Sequence, residues 1–153
     1  MQKGHFRRKA ASFLAALAAS AAFGFTVSAD FSKSTAYPDN LFTDLESGSW
    51  YETSVKEVYE FGLMKGDSET TFSPNGTLTA AEGVTVAVRI HQSLHGTALP
   101  ESIGEWYAPY AAYALQNGIM KETMFASLEQ TITRAQMAEL LADACGNLPA
   151  VNT

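Results

Sequence analysis

The sequence predicts a mostly α-helical protein built from two tandem helix–loop–helix repeats. Three observations support this fold class. Landmark residues recur in the same order along the chain, apolar residues in each copy are spaced three and four apart, and two Thr-x-x-Glu/Gln sequences mark helix starts. Short helices cannot bury their apolar faces alone, so we expect the repeats to pack on each other or on another chain.

Residues 1–29 have the features of a secretory signal peptide. Four basic residues precede an unbroken apolar and small-residue run over 10–27, and Val27-Ser28-Ala29 fits the small-x-small cleavage pattern. The alternative is a retained membrane helix, but this Ala-rich run is short for crossing about 30 Å of hydrocarbon. We therefore expect an exported protein with no membrane contact after signal removal, which begins at Asp30 with a linker over residues 30–41.

Composition excludes several classes of function. Without the signal, six Lys and Arg stand against 16 Asp and Glu, a net charge of −10, which argues against nucleic-acid partners and a helix-turn-helix regulator. The single cysteine, Cys145, forms no intrachain disulfide and no Cys-based zinc site. No Ser-His-Asp order, phosphate-binding glycine loop or metalloprotease box is present. We expect no enzyme, no cofactor and no metal site.

The repeats are recognised from paired landmarks. Trp50-Tyr51 recurs as Trp106-Tyr107, and Gly62-Leu63-Met64-Lys65 recurs as Gly118-Ile119-Met120-Lys121, both at an offset of 56. Leu78-Thr79-Ala80-Ala81-Glu82 recurs as Ile132-Thr133-Arg134-Ala135-Gln136 at an offset of 54. We assign the first repeat to residues 42–95, the second to 96–147, and a C-terminal tail to 148–153.

The first helix of each repeat follows an aromatic pair and ends at a glycine. Apolar residues at helical spacing form one face in each copy: Val55, Val58, Tyr59 and Leu63 in the first, and Tyr110, Tyr113 and Ala114 in the second. Pro109 is tolerated near a helix start. Gly62 and Gly118 supply the left-handed stop.

The second helix of each repeat begins with a capping box. Thr79 with Glu82, and Thr133 with Gln136, fit the reciprocal pattern in which each side chain bonds the other residue's amide. Gly96 and Gly146 lie near the expected helix ends. Between cap and glycine, residues at helical spacing form one face in each copy: Val84, Ala87, Val88 and His91 in the first, and Met137, Leu140, Leu141 and Ala144 in the second.

These landmarks carry a resemblance to a known family. In the first copy, the order is Phe42-Thr43-Asp44-Leu45, Trp50-Tyr51, Gly62-Leu63-Met64-Lys65-Gly66-Asp67, Phe72-Ser73-Pro74 and Leu78-Thr79-Ala80-Ala81-Glu82. The second copy has Trp106-Tyr107-Ala108-Pro109-Tyr110, Asn117-Gly118-Ile119 and Ile132-Thr133-Arg134-Ala135-Gln136. Over about residues 42–145 the chain resembles proteins with S-layer homology (SLH) motifs.

The resemblance implies a location and a partner. SLH modules are exported bacterial anchors that attach non-covalently to cell-wall polysaccharide, typically a secondary polymer bearing pyruvate ketals, at the cell wall or S-layer. Family members commonly carry three motifs packed as a three-lobed helical head with sugar-binding grooves between lobes. This chain has two motifs, so the resemblance implies an incomplete head.

Arg134 is the candidate ligand-binding cation. It follows the expected N-cap Thr133, where the helix dipole disfavours a positive charge. A carboxylate ligand would explain this placement, because helix amides and a guanidinium would both face the anion. The alternative is an exposed arginine paired with Glu139 or another acidic neighbour. The first copy has Ala80 at the equivalent position but keeps the acidic cap, so we expect one fully equipped groove, centred on the second repeat.

The aromatic pairs allow two interpretations. Sugar rings stack well on aromatic side chains such as Trp50, Tyr51, Trp106 and Tyr107, but aromatic residues that open an amphipathic helix more often pack in the core or between repeats. We favour core packing for both tryptophans and leave the tyrosines open. The candidate glycan-binding residues are therefore Arg134, Thr133, Gln136, Trp106, Tyr107, Trp50 and Glu82.

Other polar residues have plainer interpretations. Asp44 and Asp67 are turn residues rather than sugar ligands. His91 and His95 lie four apart on a helix, but no third zinc ligand accompanies them, so we expect surface histidines.

The sequence therefore predicts a non-catalytic SLH protein that binds an anionic, pyruvylated cell-wall polysaccharide. The alternative is a structural or assembly subunit whose degenerate repeats pair with another SLH chain, or with copies of itself, and do not bind sugar. Ala80 and the absence of a third repeat favour this alternative, whereas Arg134 argues against it.

Overall fold

The computed structural model describes residues 32–99 and 104–146, where four α-helices form the regular structure. Their bounds are Glu52–Glu60 for α1, Ala80–His95 for α2, Ala108–Gln116 for α3 and Arg134–Cys145 for α4. The β-type pairing found in these residues is a single antiparallel bridge between Thr79 and Thr131. The predicted all-α class is confirmed. The expected signal peptide, residues 1–29, and the tail, 148–153, lie outside the described residues.

The second-helix boundaries agree with the expected capping chemistry. Thr79 Oγ1 accepts a hydrogen bond from the Glu82 amide at 3.3 Å, and the Glu82 carboxylate accepts one from the Thr79 amide at 2.7 Å. Thr133 and Gln136 form the same pair of bonds at 3.2 and 3.0 Å. Both capping boxes are therefore confirmed, and Gly96 and Gly146 are the C-caps of α2 and α4.

α2 is the central helix because it packs against both α3 and α4. Its buried residues are small or β-branched, which lets the neighbouring helices approach closely: Ala80, Ala81, Gly83, Val84, Thr85, Ala87 and Val88. The buried Thr85 hydroxyl donates to the Ala81 carbonyl at 2.8 Å, so it adds no unsatisfied polar group. Ile119 and Leu140, both 0% exposed, complete the core between α2, α3 and α4.

α1 lies outside this core and packs against the chain that precedes it. Phe42, only 4% exposed, lies between the rings of Tyr37, Tyr59 and Phe72 at centroid distances of 5.9, 5.7 and 5.3 Å. Gly66 has φ +88°, and a Cβ there would lie 2.5 Å from the Thr71 carbonyl oxygen and 2.7 Å from the Phe42 ring. Glycine is therefore required beside this aromatic cluster.

Asp44 ties the start of the first repeat to its loop. Its carboxylate accepts hydrogen bonds from the amides of Phe72 at 2.9 Å and Ser73 at 2.7 Å, which confirms the turn role. Burial raises the pKa of Asp44, but these amide bonds outweigh it, so the pKa lies below its ordinary value. In the second repeat the Gln130 side chain accepts from the amides of Ala126 and Ser127 instead, at 3.2 and 3.4 Å.

Replacing Asp44 by alanine should lower the free energy of unfolding at neutral pH by about 1 kcal/mol, since the site is largely solvated. A depressed folded pKa contributes stability above the unfolded value, near 3.9, and this contribution is lost as the pH falls through the folded pKa. Thermal unfolding of Asp44→Ala and the native chain should therefore converge below about pH 4. Asp39→Ala, at an exposed turn position, is the matched control; an Asp44 deficit that is unchanged in acid would contradict this origin.

Candidate functional site

A groove of about 530 Å³ opens on the first repeat beside the start of the second. Three parts of the first repeat line it, and Trp106 closes it from the second. These parts are the loop after α1 at residues 63–67, the turn at 72–78, and the α2 face carrying Glu82, Thr85, Val86 and Arg89. Because the loop, the turn and the helix face meet here, the groove combines apolar, charged and aromatic surface.

Arg89 crosses from α2 to the neighbouring elements. Its Nη1 donates to the Leu63 carbonyl at 2.8 Å, its Nη2 donates to the Tyr110 hydroxyl at 3.4 Å, and its guanidinium lies 5.5 Å from the Tyr110 ring centroid. No carboxylate forms an ion pair with Arg89 among the described residues. A guanidinium has five N–H donors, so this one retains donors for an anion.

The other charged groups of the groove differ in availability. Lys65 is exposed, and no ion pair holds it within residues 32–99 and 104–146. The Glu82 carboxylate is engaged by the capping box, where Thr79 donates from its amide at 2.7 Å and its hydroxyl at 2.9 Å. The groove therefore presents two available cations. Of its two acids, Glu82 is held by the capping box, whereas Asp67 forms no ion pair among the described residues.

Both tryptophans lie at the surface. Trp50 is 90% exposed and Trp106 is 57% exposed, so the prediction that they are core residues is wrong. The helices that follow turn other residues inward, namely Val55 from α1 and Tyr113 and Ala114 from α3. Trp106 nevertheless lies at the contact between the two predicted repeats, as part of the groove wall. Tyr107 is half-buried and packs edge-to-face on Trp106, with ring centroids 5.5 Å apart.

Arg134 lies apart from this groove. It is exposed in the first turn of α4 and is not among the groove-lining residues. Glu139, the partner considered for it, instead bonds Lys121 at 2.8 Å. Thr133 and Gln136 form the adjacent capping box, and Gln136 Nε2 also donates to the Met124 carbonyl at 3.3 Å. The seven candidate residues thus do not form one site. Trp106 and Glu82 line the groove, with Tyr107 packed on Trp106, whereas Arg134, Thr133 and Gln136 lie at the start of α4. Trp50 is exposed before α1 and belongs to neither place.

Arg89 and Lys65 were not among the predicted ligand-binding residues. A signal was present, because Glu82, Thr85 and Arg89 recur at spacings of three and four, which marks one polar stripe on α2. Six cations remain after the expected signal peptide, and three of them, Lys56, Lys65 and Arg89, belong to the first repeat. Arg134 was predicted instead because a cation beside the N-cap of α4 opposes the helix dipole, whereas Lys65 was recognised only as part of a repeat landmark.

The two histidines form a separate polar cluster. The rings of His91 and His95 lie 4.1 Å apart, and His91 Nδ1 is 2.9 Å from the Tyr113 hydroxyl. Burial, and then the charge of His95, lower the pKa of His91. In the described part of the chain no group of three His, Cys, Asp or Glu residues is arranged to hold a metal. No helix there is long and apolar enough to cross a membrane.

Comparison with known proteins identifies the family. Residues 41–82 match the model of the S-layer homology domain. The chain is 32% identical over 108 residues to the S-layer protein sap of Bacillus anthracis, and 31% identical over 108 residues to an S-layer protein of Bacillus thuringiensis subsp. finitimus; each match covers 67% of this chain. An amylopullulanase of Thermoanaerobacterium thermosulfurigenes is 28% identical over 113 residues, or 65% of this chain.

The matches cover small parts of these relatives. The chain spans 13% of the length of the two S-layer proteins and 6% of the amylopullulanase. The similarity therefore points to a non-enzymatic anchoring domain and supports cell-envelope anchoring and a cell-surface, S-layer location in a bacterium. The family match falls on the first repeat, so the second motif stays a prediction. Residues 41–82 identify the chain as an S-layer homology domain protein.

Proposed function

We propose that this chain attaches to the bacterial cell envelope by binding an anionic, pyruvylated cell-wall polysaccharide, without catalysing a reaction. The observation that carries the proposal is the groove on the first repeat, where an exposed tryptophan and two available cations line one cavity of about 530 Å³. The S-layer relatives and the SLH match make a cell-wall polymer the fitting ligand.

The groove offers complementary contacts for such a sugar. The indole face of Trp106 suits the C–H face of a pyranose ring. The Arg89 guanidinium, held in place by Leu63 and Tyr110, suits a pyruvate carboxylate. With a net charge of −10 after signal removal, the overall field repels an anion, so binding depends on such placed cations.

Arg134 is proposed as a second, separate contact with the polymer. Its guanidinium is exposed and forms no ion pair with a described residue. A polysaccharide is long enough to meet both the groove and the start of α4. Arg89 and Lys65 therefore make the main contact with the carboxylate, and Arg134 makes an additional one with the capping residues Thr133 and Gln136.

Calorimetric titration with purified polymer, native and chemically depyruvylated, tests the proposal. Lys65→Ala and Trp106→Ala alter exposed groove residues. Lys65→Ala should weaken binding by at least about tenfold, since a charge-assisted contact contributes about 1.5–3 kcal/mol. Trp106→Ala should weaken binding by about tenfold, since it removes the ring that contacts the sugar. Lys56→Ala, a cation on α1 that pairs with Glu52 at 2.7 Å, is the matched control and should bind normally. Circular dichroism establishes that each variant is folded.

The outcomes separate the two contacts. A smaller loss in Arg134→Ala than in Lys65→Ala supports the groove as the main site, whereas loss in Arg134→Ala alone moves the site to α4. The proposal would be overturned if the affinity were the same for native and depyruvylated polymer and were unchanged in Lys65→Ala and Trp106→Ala. No binding to either polymer would also overturn it, and would favour the assembly role in which the repeats pair with another SLH chain.

A further inference from the structure

We infer that the outer face of α4 is a self-association surface that receives the first repeat of a second copy of this chain. The inference goes beyond glycan binding and rests on a property of the contact between the two repeats. That contact is directional. The start of the second helix in the first repeat, here called the receiving surface, binds a loop of the second repeat, here called the inserting loop. The equivalent receiving surface of the second repeat is uncovered among the described residues.

The receiving surface of the first repeat is the start of α2. Its first two amides, from Ala80 and Ala81, donate to the carbonyls of Gln130 and Leu128, each at 2.8 Å. The Thr79–Thr131 bridge and a 2.9 Å bond from the Ile132 amide to the Leu78 carbonyl extend the same contact. The loop before α4 therefore satisfies amides that a helix start otherwise leaves without partners.

The second repeat has the same surface without an occupant. At an offset of 54, Ala80 and Ala81 correspond to Arg134 and Ala135, whose amides donate to no group in residues 32–99 and 104–146. The inserting loop at residues 128–131 corresponds to residues 74–77, whose carbonyls accept no backbone hydrogen bond there. One end of the molecule thus has donors without acceptors, and the other has the equivalent acceptors.

Equivalent side chains on α2 and α4 also differ in exposure. Ala81, Val84 and Val88 of α2 are buried. Their equivalents on α4 are small and exposed: Ala135, Ala138 and Ala142. These alanines permit another segment to approach α4 as closely as the second repeat approaches α2.

The tryptophans favour a second copy of this chain as the occupant. Trp106 of the second repeat lies against the groove of the first, whereas its equivalent Trp50 is 90% exposed. The repeat that carries the available loop at 74–77 therefore also carries the exposed tryptophan. A first repeat from another copy would bring both to the second repeat, in continuity with the contact within the chain.

One position limits the strength of this association. Gly83 leaves room for Ile132, but its equivalent is Met137, which lies half-buried beside Gly83. The contact between copies must therefore be weaker than the contact within the chain. It is also head-to-tail, so it produces a ring or an open chain of copies rather than a two-fold dimer.

Sedimentation of residues 30–153 over a concentration series from micromolar to millimolar tests the inference. The native average mass should rise with concentration. Ala138→Arg, on the receiving face, and Trp50→Ala, on the inserting face, should each remain monomeric. Ala112→Arg makes the same change at an exposed position of α3 and should associate like the native chain.

Mixing the two variants provides the decisive measurement. Ala138→Arg retains an intact inserting face, and Trp50→Ala retains an intact receiving face, so the mixture should form heterodimers and nothing larger. A native chain that stays monomeric throughout would overturn the inference. So would association that Ala138→Arg leaves unchanged, or a mixture without heterodimers. Pro74, Gly76 and Thr77, in the first repeat's equivalent of the inserting loop, also line the groove. The glycan titration is therefore made below the concentrations at which the native chain associates, so that it tests the groove independently of this inference.

Discussion

Replacing Leu140 by alanine should destabilise the protein by about 2–5 kcal/mol, which is a large part of the stability of a domain of this size. Leu140 is 0% exposed and lies in the cluster that joins α4 to α2 and to the chain after α3. Removal of its side chain leaves a cavity beside Val84 and Ile119, which are themselves fully buried. Because these neighbours belong to different elements, partial collapse of one helix cannot fill the space.

Chemical denaturation measures this loss, and Leu115→Ala is the matched control. The same atoms are removed there, but Leu115 is 40% exposed on α3, so we expect a cost of about 1 kcal/mol or less. Equal losses in the two variants would show that burial at Leu140 does not control stability. The difference should appear in the midpoint rather than in the denaturant slope, since both variants keep the same folded surface.

Gly83→Leu should force α2 and α4 apart. A Cβ at this position would lie 2.6 Å from Ile132 Cδ1 and 3.3 Å from Met137 Sδ. Glycine within a helix costs about 0.5–1 kcal/mol relative to alanine, so its presence in α2 is explained by this close approach. We expect overpacking to cost about 1–3 kcal/mol. The second repeat and Trp106 should then shift relative to the groove, which should weaken glycan binding as well.

A double-mutant cycle tests whether the clash with Ile132 causes the loss of stability in Gly83→Leu. Ile132→Ala alone should destabilise the chain, but Gly83→Leu should cost less in that background because the obstructing methyl group is gone. Additive losses would mean that the strain arises elsewhere. The cycle needs urea denaturation of four proteins, with circular dichroism at the helical band as the readout.

Local features of this protein were determined by sequence alone. The capping boxes at Thr79 and Thr133 join residues three apart, so every atom of the motif lies in one short segment. Gly62 and Gly118 adopt positive φ at 70° and 71°, as their positions after the first helices predicted. Apolar spacing identified α2 correctly because helical periodicity brings Val84, Ala87 and Val88 to one face.

Features that depend on contacts between distant residues were decided by the tertiary structure. Lys121 bonds Glu139 rather than leaving it for Arg134, and Arg89 reaches Leu63 and Tyr110 across two other elements. Periodicity shows that a helix has a buried face but not which neighbour covers it. The exposure of Trp106 and the position of the groove therefore follow from how α2 is placed between α3 and α4, whereas Trp50 is exposed beside α1, which lies outside that core. Short-range chemistry set the helices of this SLH protein, and long-range packing set which of their charged and aromatic side chains could meet.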